Sequence, residues 1–257
     1  MLRNRCDRSI YVLFFGCVGP CPVGVSMVAY RVHRAARIAA IAAIAVSLVF
    51  VLAVAAPAQE SRPSVPGKFD FYVLALSWSP SFCAAERERG RAEATQCGGR
   101  PFAFVVHGLW PQFERGFPSY CEVPAPRLAR TIVDSMLDVM PSPRLVYHEW
   151  DRHGTCSGLA AAAYFETVHK AFATVKIPTA YRDLAKPITV TPDEVEDAFV
   201  KANPGLTRTA MAIDCSSKRL REVRVCLSRD FSFHDCAQIV QRSCRRDRVA
   251  MPAVRGE

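Results

Sequence analysis

Pro101-Phe-Ala-Phe-Val-Val-His-Gly-Leu-Trp-Pro111 reads as a strand that ends on a chemical group. Phe102, Phe104 and Val106 fall on one face and Ala103, Val105 and His107 on the other, the two-residue period of extended chain. Gly108 and Pro111 predict that the strand stops immediately after the histidine, so that a rigid element presents His107 to a cleft. A second block, His148-Glu-Trp-Asp-Arg-His-Gly-Thr-Cys156, reads as a helix from Tyr147 to about His153, ended by Gly154.

The two blocks hold three of the six histidines, with Glu149 and Arg152 beside them. On a helix Glu149 and His153 are four apart and stack one above the other, while His148 and Arg152 form a parallel pair on the next ridge. Glu149 is therefore expected to hold His153 in position, and Arg152 to offer an anion a permanently charged two-donor fork. One imidazole can remove a proton, another can donate one, and cations can neutralise charge gathering on phosphorus. That combination suits the breaking of a phosphodiester. A helical zinc pair needs histidines four apart, but His148 and His153 are five apart, about 140° around the helix, so no metal is expected. Cys156 is set aside as a nucleophile because an exported cysteine belongs in a disulfide. Read alone, Trp110 and Trp150 both fit a packed core. His169 and His234 read as structural side chains.

Working outward, Phe69 to Ser77 has too little polarity for a surface strand, so it predicts a central strand buried on both faces and ended by Pro80. Residues 84 to 100 are charged and poor in large apolar groups, which predicts a loop. Arg127 to Met140 shows Leu128, Ile132, Val133, Met136, Leu137 and Met140 at helical spacing, broken by Pro141 and Pro143. Gly158 to Val175 is Ala-rich and helical, and Thr191-Pro-Asp-Glu194 opens another helix with a cap and an acidic first turn. Strands are expected at about Thr209 to Asp214 and Leu220 to Leu227, then a basic, irregular tail from Arg245.

At the N-terminus, Arg31, Arg34 and Arg37 precede an uncharged apolar run from Ile38 to Ala56 that closes on Ala56-Pro-Ala58, an export signal in pattern. The run is almost long enough to span a bilayer, so membrane contact is expected only where this segment stays uncleaved. Met27 would start a more ordinary signal. Setting aside residues 1–58 leaves 59–257 as a single catalytic domain. The net charge falls from +9 to +4, with 27 Lys+Arg against 23 Asp+Glu, so basicity argues only weakly for an anionic substrate. Of eleven cysteines, Cys83, Cys97, Cys121, Cys156, Cys215, Cys226, Cys236 and Cys244 remain, an even set that implies disulfides and an oxidising compartment, periplasmic or outside the cell. Spacing leaves their pairing open.

The order His-Gly-Leu-Trp-Pro, then His-Glu-Trp-x-Lys/Arg-His-Gly-Thr-Cys, resembles the two active-site segments of the ribonuclease T2 family. The likeness extends to the opening stretch Phe69–Cys83 and to the cysteine-bearing region Asp214–Cys244. It implies an α+β domain with a central antiparallel sheet and packed helices, and disulfides pairing Cys121 with Cys156, Cys215 with Cys244, Cys226 with Cys236 and Cys83 with Cys97. It also implies metal-independent cleavage of single-stranded RNA with low base specificity, by a bacterial-type member that needs no cofactor or stable protein partner and acts as a monomer. His153 would be the base acting on the ribose 2'-hydroxyl and His107 the acid at the leaving oxygen. His148 would bind phosphate, Glu149 and Arg152 would stabilise the transition state, and Trp110, with Gln112 after it, would contact the base, Trp110 by stacking, whereas Trp150 is as readily packing. Two departures stand out: Arg152 replaces the lysine of many relatives, and Gln112 stands where several carry an acidic residue that contacts the base. A binding protein that has lost catalysis and a metal-dependent hydrolase are the competing classes.

Overall fold

The apolar run after Phe69 forms strand β1, Phe71–Trp78, in the computed structural model, which describes residues 62–91 and 94–254. It is buried on both faces, as its composition predicts. The export-like segment and the Met27 start lie outside the described residues. Those that are described fall within one unit, Glu60–Glu257.

β1 pairs antiparallel with β2, Phe104–Gln112, and with β5, Leu220–Leu227, which in turn pairs with β4, Met211–Cys215. The order across the sheet is β2-β1-β5-β4. A smaller antiparallel pair joins β3, Ile188–Val190, to β6, Val249–Met251. Residues directly opposite on neighbouring strands share a face. On one face, Leu74, Leu76, Val106, Leu109, Val223 and Val225 pack into the main core with Trp150, Tyr164, Phe165 and Phe199 from the helices. On the other, Phe71, Val73, Ala212 and Cys226 form a small second cluster with Cys236 and Ile239, and Trp110 packs against it.

The helices are α1, Ser79–Glu88; α2, Ala94–Cys97; α3, Arg130–Ser135; α4, Pro143–Arg152; α5, Ala161–Thr174; α6, Pro192–Ala202; and α7, Ala237–Val240. α6 opens on a full capping box, with Thr191 Oγ1 accepting from Glu194 N and Glu194 returning the bond to Thr191 N. Such a cap contributes about 1 kcal/mol. All four disulfides are formed with the pairing that the resemblance implied.

Several local expectations are corrected. The stretch after Pro80 is not a loop. Pro80 sits in the first turn of α1, where its missing N–H costs nothing, and Cys83–Cys97 and the Gln96–Ser79 hydrogen bond hold α1 and α2 together. Pro143 likewise starts α4 instead of breaking a helix, with Ser142 accepting from Leu145 N, so α4 begins well before Tyr147. α3 is shorter than predicted, although Leu128, Val133, Met136 and Met140 are buried as the pattern requires. The tail is anchored: β6 pairs with β3, and Trp78 donates its indole N–H to Pro252 O.

β2 does not stop at His107. It runs on to Gln112 because it is an edge strand, where Pro111 removes no ladder bond. The register steps from Gly108 opposite Ala75 to Val106 opposite Leu76, leaving His107 as the extra residue of a bulge. A regular strand would send residues 107 and 110 to opposite faces. The bulge brings His107 and Trp110 to the same one.

Candidate active site

His107, at the bulge, and α4, which lies against β2, supply the centre of the site. The His107 Nδ1–H donates to Glu222 Oε1 at 2.5 Å, and its Nε2 is 3.7 Å from Glu149 Oε1. Its ring sits edge-on to Trp110, centroids 5.3 Å apart. Trp110 is half-buried and donates its N–H to Glu149 Oε2 at 2.7 Å. The His153 ring lies 5.4 Å from it, and the Arg224 guanidinium is over the indole, also at 5.4 Å. Both imidazoles therefore lie against one indole, whose orientation Glu149 fixes.

His153 is the C-terminal cap of α4, its backbone N–H donating to Glu149 O. Its ring is buried, and Nδ1 has no hydrogen-bond partner among the described residues. Glu149 therefore does not hold His153 through its side chain, as the four-residue spacing suggested. The cap residue leaves the helical line, and the carboxylate turns to Trp110 and His107. Arg152, half-buried, has an unpartnered buried Nε, and its guanidinium lies 5.9 Å over the Tyr120 ring. His148 is exposed on the same helix. Cys121–Cys156 ties the segment bearing Tyr120 to the turn that follows α4.

Burial and charge separate these groups. Burial, with the Arg152, His148 and His107 charges, pushes His153 down to about 3. His107 moves the other way: burial opposes its charged form, but the hydrogen bond and charge of Glu222, helped by Glu149, raise it above the ordinary histidine value. Burial pushes Glu149 up to about 7 despite the nearby His107 charge and the Trp110 bond. For Glu222, burial works upward, yet His107 and Arg224 outweigh it and hold the carboxyl at about 2. His148 is lowered by burial and by the Arg152 and His107 charges. At mildly acidic pH, His107 is thus the protonated ring and His153 the neutral one.

Other sequence-stretch expectations divide. Gln112 is buried, 4 % exposed, and its amide donates to Pro111 O. Trp150 is core, its N–H donating to Pro126 O. His169 and His234 pair with Asp138 and Glu114 at the surface. Glu222 and Arg224 were missed. Their signal was available in Leu220-Arg-Glu-Val-Arg-Val, where an acid and a base alternate onto one face of a strand, a setting that disfavours Glu. Among the described residues, no three His, Cys, Asp or Glu side chains group as a metal ion would need, and no helix is long and apolar enough to cross a membrane.

The Ribonuclease T2 family model matches residues 69–236. The chain is 47 % identical over 94 residues to a ribonuclease of Aeromonas hydrophila, covering 37 % of this chain and 40 % of that one. It is 37 % identical over 120 residues to a probable ribonuclease of Haemophilus influenzae, covering 42 % and 44 %. The chain thus spans less than half the length of these two relatives. Among solved structures, an RNase-related protein from Calystegia sepium superposes with a TM-score of 0.58 at 21 % identity, over 73 % of this chain and 98 % of that one. This likeness bears on the fold.

Proposed function

The chain belongs to the ribonuclease T2 family, and from that premise we propose that it is an endoribonuclease that cleaves single-stranded RNA by transphosphorylation, without a metal. His153, neutral, takes the proton of the ribose 2'-hydroxyl through its ring nitrogen. The 2'-oxygen forms a bond to phosphorus while the bond from phosphorus to the 5'-oxygen breaks, and the 5'-oxygen leaves with a proton from His107 Nε2. The product is a 2',3'-cyclic phosphate. In the second step the roles reverse: neutral His107 takes a proton from water, the water oxygen bonds to phosphorus while the bond from phosphorus to the 2'-oxygen breaks, and His153 returns its proton to that oxygen, leaving a 3'-phosphate. His148 binds phosphate, and Arg152 and Glu149 stabilise the five-coordinate phosphorus. DNA, lacking the internal nucleophile, is not a substrate.

The observation that carries this reading is the pair of imidazoles against Trp110 with opposite protonation preferences. An acid and a base of the same residue type are useful together only when their environments separate them. The unpartnered nitrogens of His153 and Arg152 support it too, since buried polar atoms without partners call for a reason. Recognition of the base falls to Trp110, by stacking that every base can do, with Gln112 two residues on along β2. This favours low base specificity. Four disulfides and the export-like N-terminus favour a periplasmic or secreted location.

Digestion of RNA in EDTA, followed by analysis of the ends, tests the proposal. It predicts 2',3'-cyclic phosphate that converts to 3'-phosphate. Complete loss of cleavage in EDTA points to a metal hydrolase, and RNA binding without cleavage in either condition to a binder.

A further inference from the structure

His107 and Glu222 stand on strands that do not touch. β1 separates β2 from β5, a gap of roughly 10 Å between their backbones. Ala75 lies in one row with Gly108 and Arg224, and Ser77 in one row with Val105 and Glu222. Small side chains on the middle strand leave the space in which the ring and the carboxylate meet. Glu222 itself is gripped from the far side. Arg224 donates to its Oε2 through Nε at 3.0 Å and Nη2 at 2.9 Å, and Nη2 also donates to Asp214 Oδ2 at 2.8 Å. Arg221 donates to the same Asp214 Oδ2, and Ser77 Oγ donates to Glu222 Oε1 at 3.3 Å. Asp214 in turn precedes Cys215, bonded to Cys244.

Resting on the function proposed above, we propose that Glu222 is the positioning residue of His107, with Arg224 and Asp214 holding Glu222 in place. By accepting the Nδ1 proton it fixes the ring and the tautomer, so that Nε2 is the nitrogen that exchanges protons with the leaving oxygen. When Nε2–H protonates the 5'-oxygen, the Nδ1 proton stays on the ring and Glu222 remains ionised. Glu222 also stabilises the imidazolium before transfer. The charged groups that bear on His107 are Glu222 and Arg224 from β5, and Glu149, His148 and His153 from α4 and its cap. Only Glu222 bonds to Nδ1.

The test is kcat and KM against pH for the oxidised Glu222→Gln enzyme, with Glu222→Asp, Arg224→Lys and His107→Ala beside it. Glu222→Gln is expected to lower kcat at least ~10-fold with little change in KM. The alkaline limb should move to lower pH, because the imidazolium has lost its anionic partner. Glu222→Asp should restore part of both effects, and Arg224→Lys should shift the limb the same way by less. A merely structural ion pair would leave the limb where it is. If Glu222→Gln fails to fold, the Arg224→Lys profile decides. Wild-type kcat and pH profile in the folded variants, with His107→Ala inactive, overturn this proposal alone. Activity in His107→Ala overturns the reading beneath it.

Discussion

Gly108 is the residue on which the geometry of the site turns. A Cβ there would lie 1.9 Å from Glu149 Oε2 and 2.3 Å from Trp110 Nε1, so even alanine must break the bond that sets the indole against both imidazoles. Gly108→Ala is expected to cost about 1–3 kcal/mol of stability and to cut kcat at least ~10-fold, the range of a displaced acid or base. Thermal melts and steady-state kinetics of the variant check both. Gly154 is under a similar constraint, with Trp150 Cε3 only 2.4 Å from its added Cβ. At this scale the sequence shows the residues of the proposed site, with His107, Glu149, His148, Arg152 and His153 in two dense blocks. It does not show who bonds to whom. Glu149 turns to Trp110, not His153, because the cap residue departs from helical geometry. Glu222 escaped notice because only the sheet order brings β5 within reach of His107.

Among the elements, proline misleads most. Pro80, Pro143 and Pro192 all sit in the first turn of a helix, yet only the last was read that way, because Thr191 and Glu194 announce a capping box. Ser142 does the same work for α4 with a weaker signature. It accepts from Leu145 N at 3.4 Å and has no acidic partner three residues on. Ser142→Ala is expected to lower stability by about 0.5–1 kcal/mol and to leave the pH profile unchanged, since the cap is at the far end of α4 from His153. Denaturant unfolding and a pH–rate series measure the two halves of that statement. The bulge at His107 was equally out of view: it arises from pairing with β1, and a single strand carries no record of where its partner slips. The alternation Phe104, Val105, Val106, His107 holds in the structure, and the slip reverses it from Gly108 onward, past the point where the sequence predicts the strand to stop.

For the whole molecule, the antiparallel sheet, its packed helices and the four disulfides stand as the resemblance implied. Bulk properties alone could not have reached this. A net charge of +4 after the N-terminal segment and eight cysteines fit many exported domains. The fold uses its two sheet faces differently: one buries the main core, and the other carries a small apolar cluster and, beside it, two charged rows, Ala75 with Arg224 and Ser77 with Glu222. Two disulfides fix the flanks of the site, Cys121–Cys156 beyond α4 and Cys215–Cys244 beside Asp214. Within it, burial of His153 and the Glu222 partner of His107 are what give two imidazoles in one cleft different protonation states. NMR titration of the ring protons of His107 and His153 in the oxidised protein reads those states directly. The account predicts that between pH 4 and pH 6 His107 is protonated while His153, at about 3, is neutral; two rings that titrate together, or in the opposite order, would contradict it.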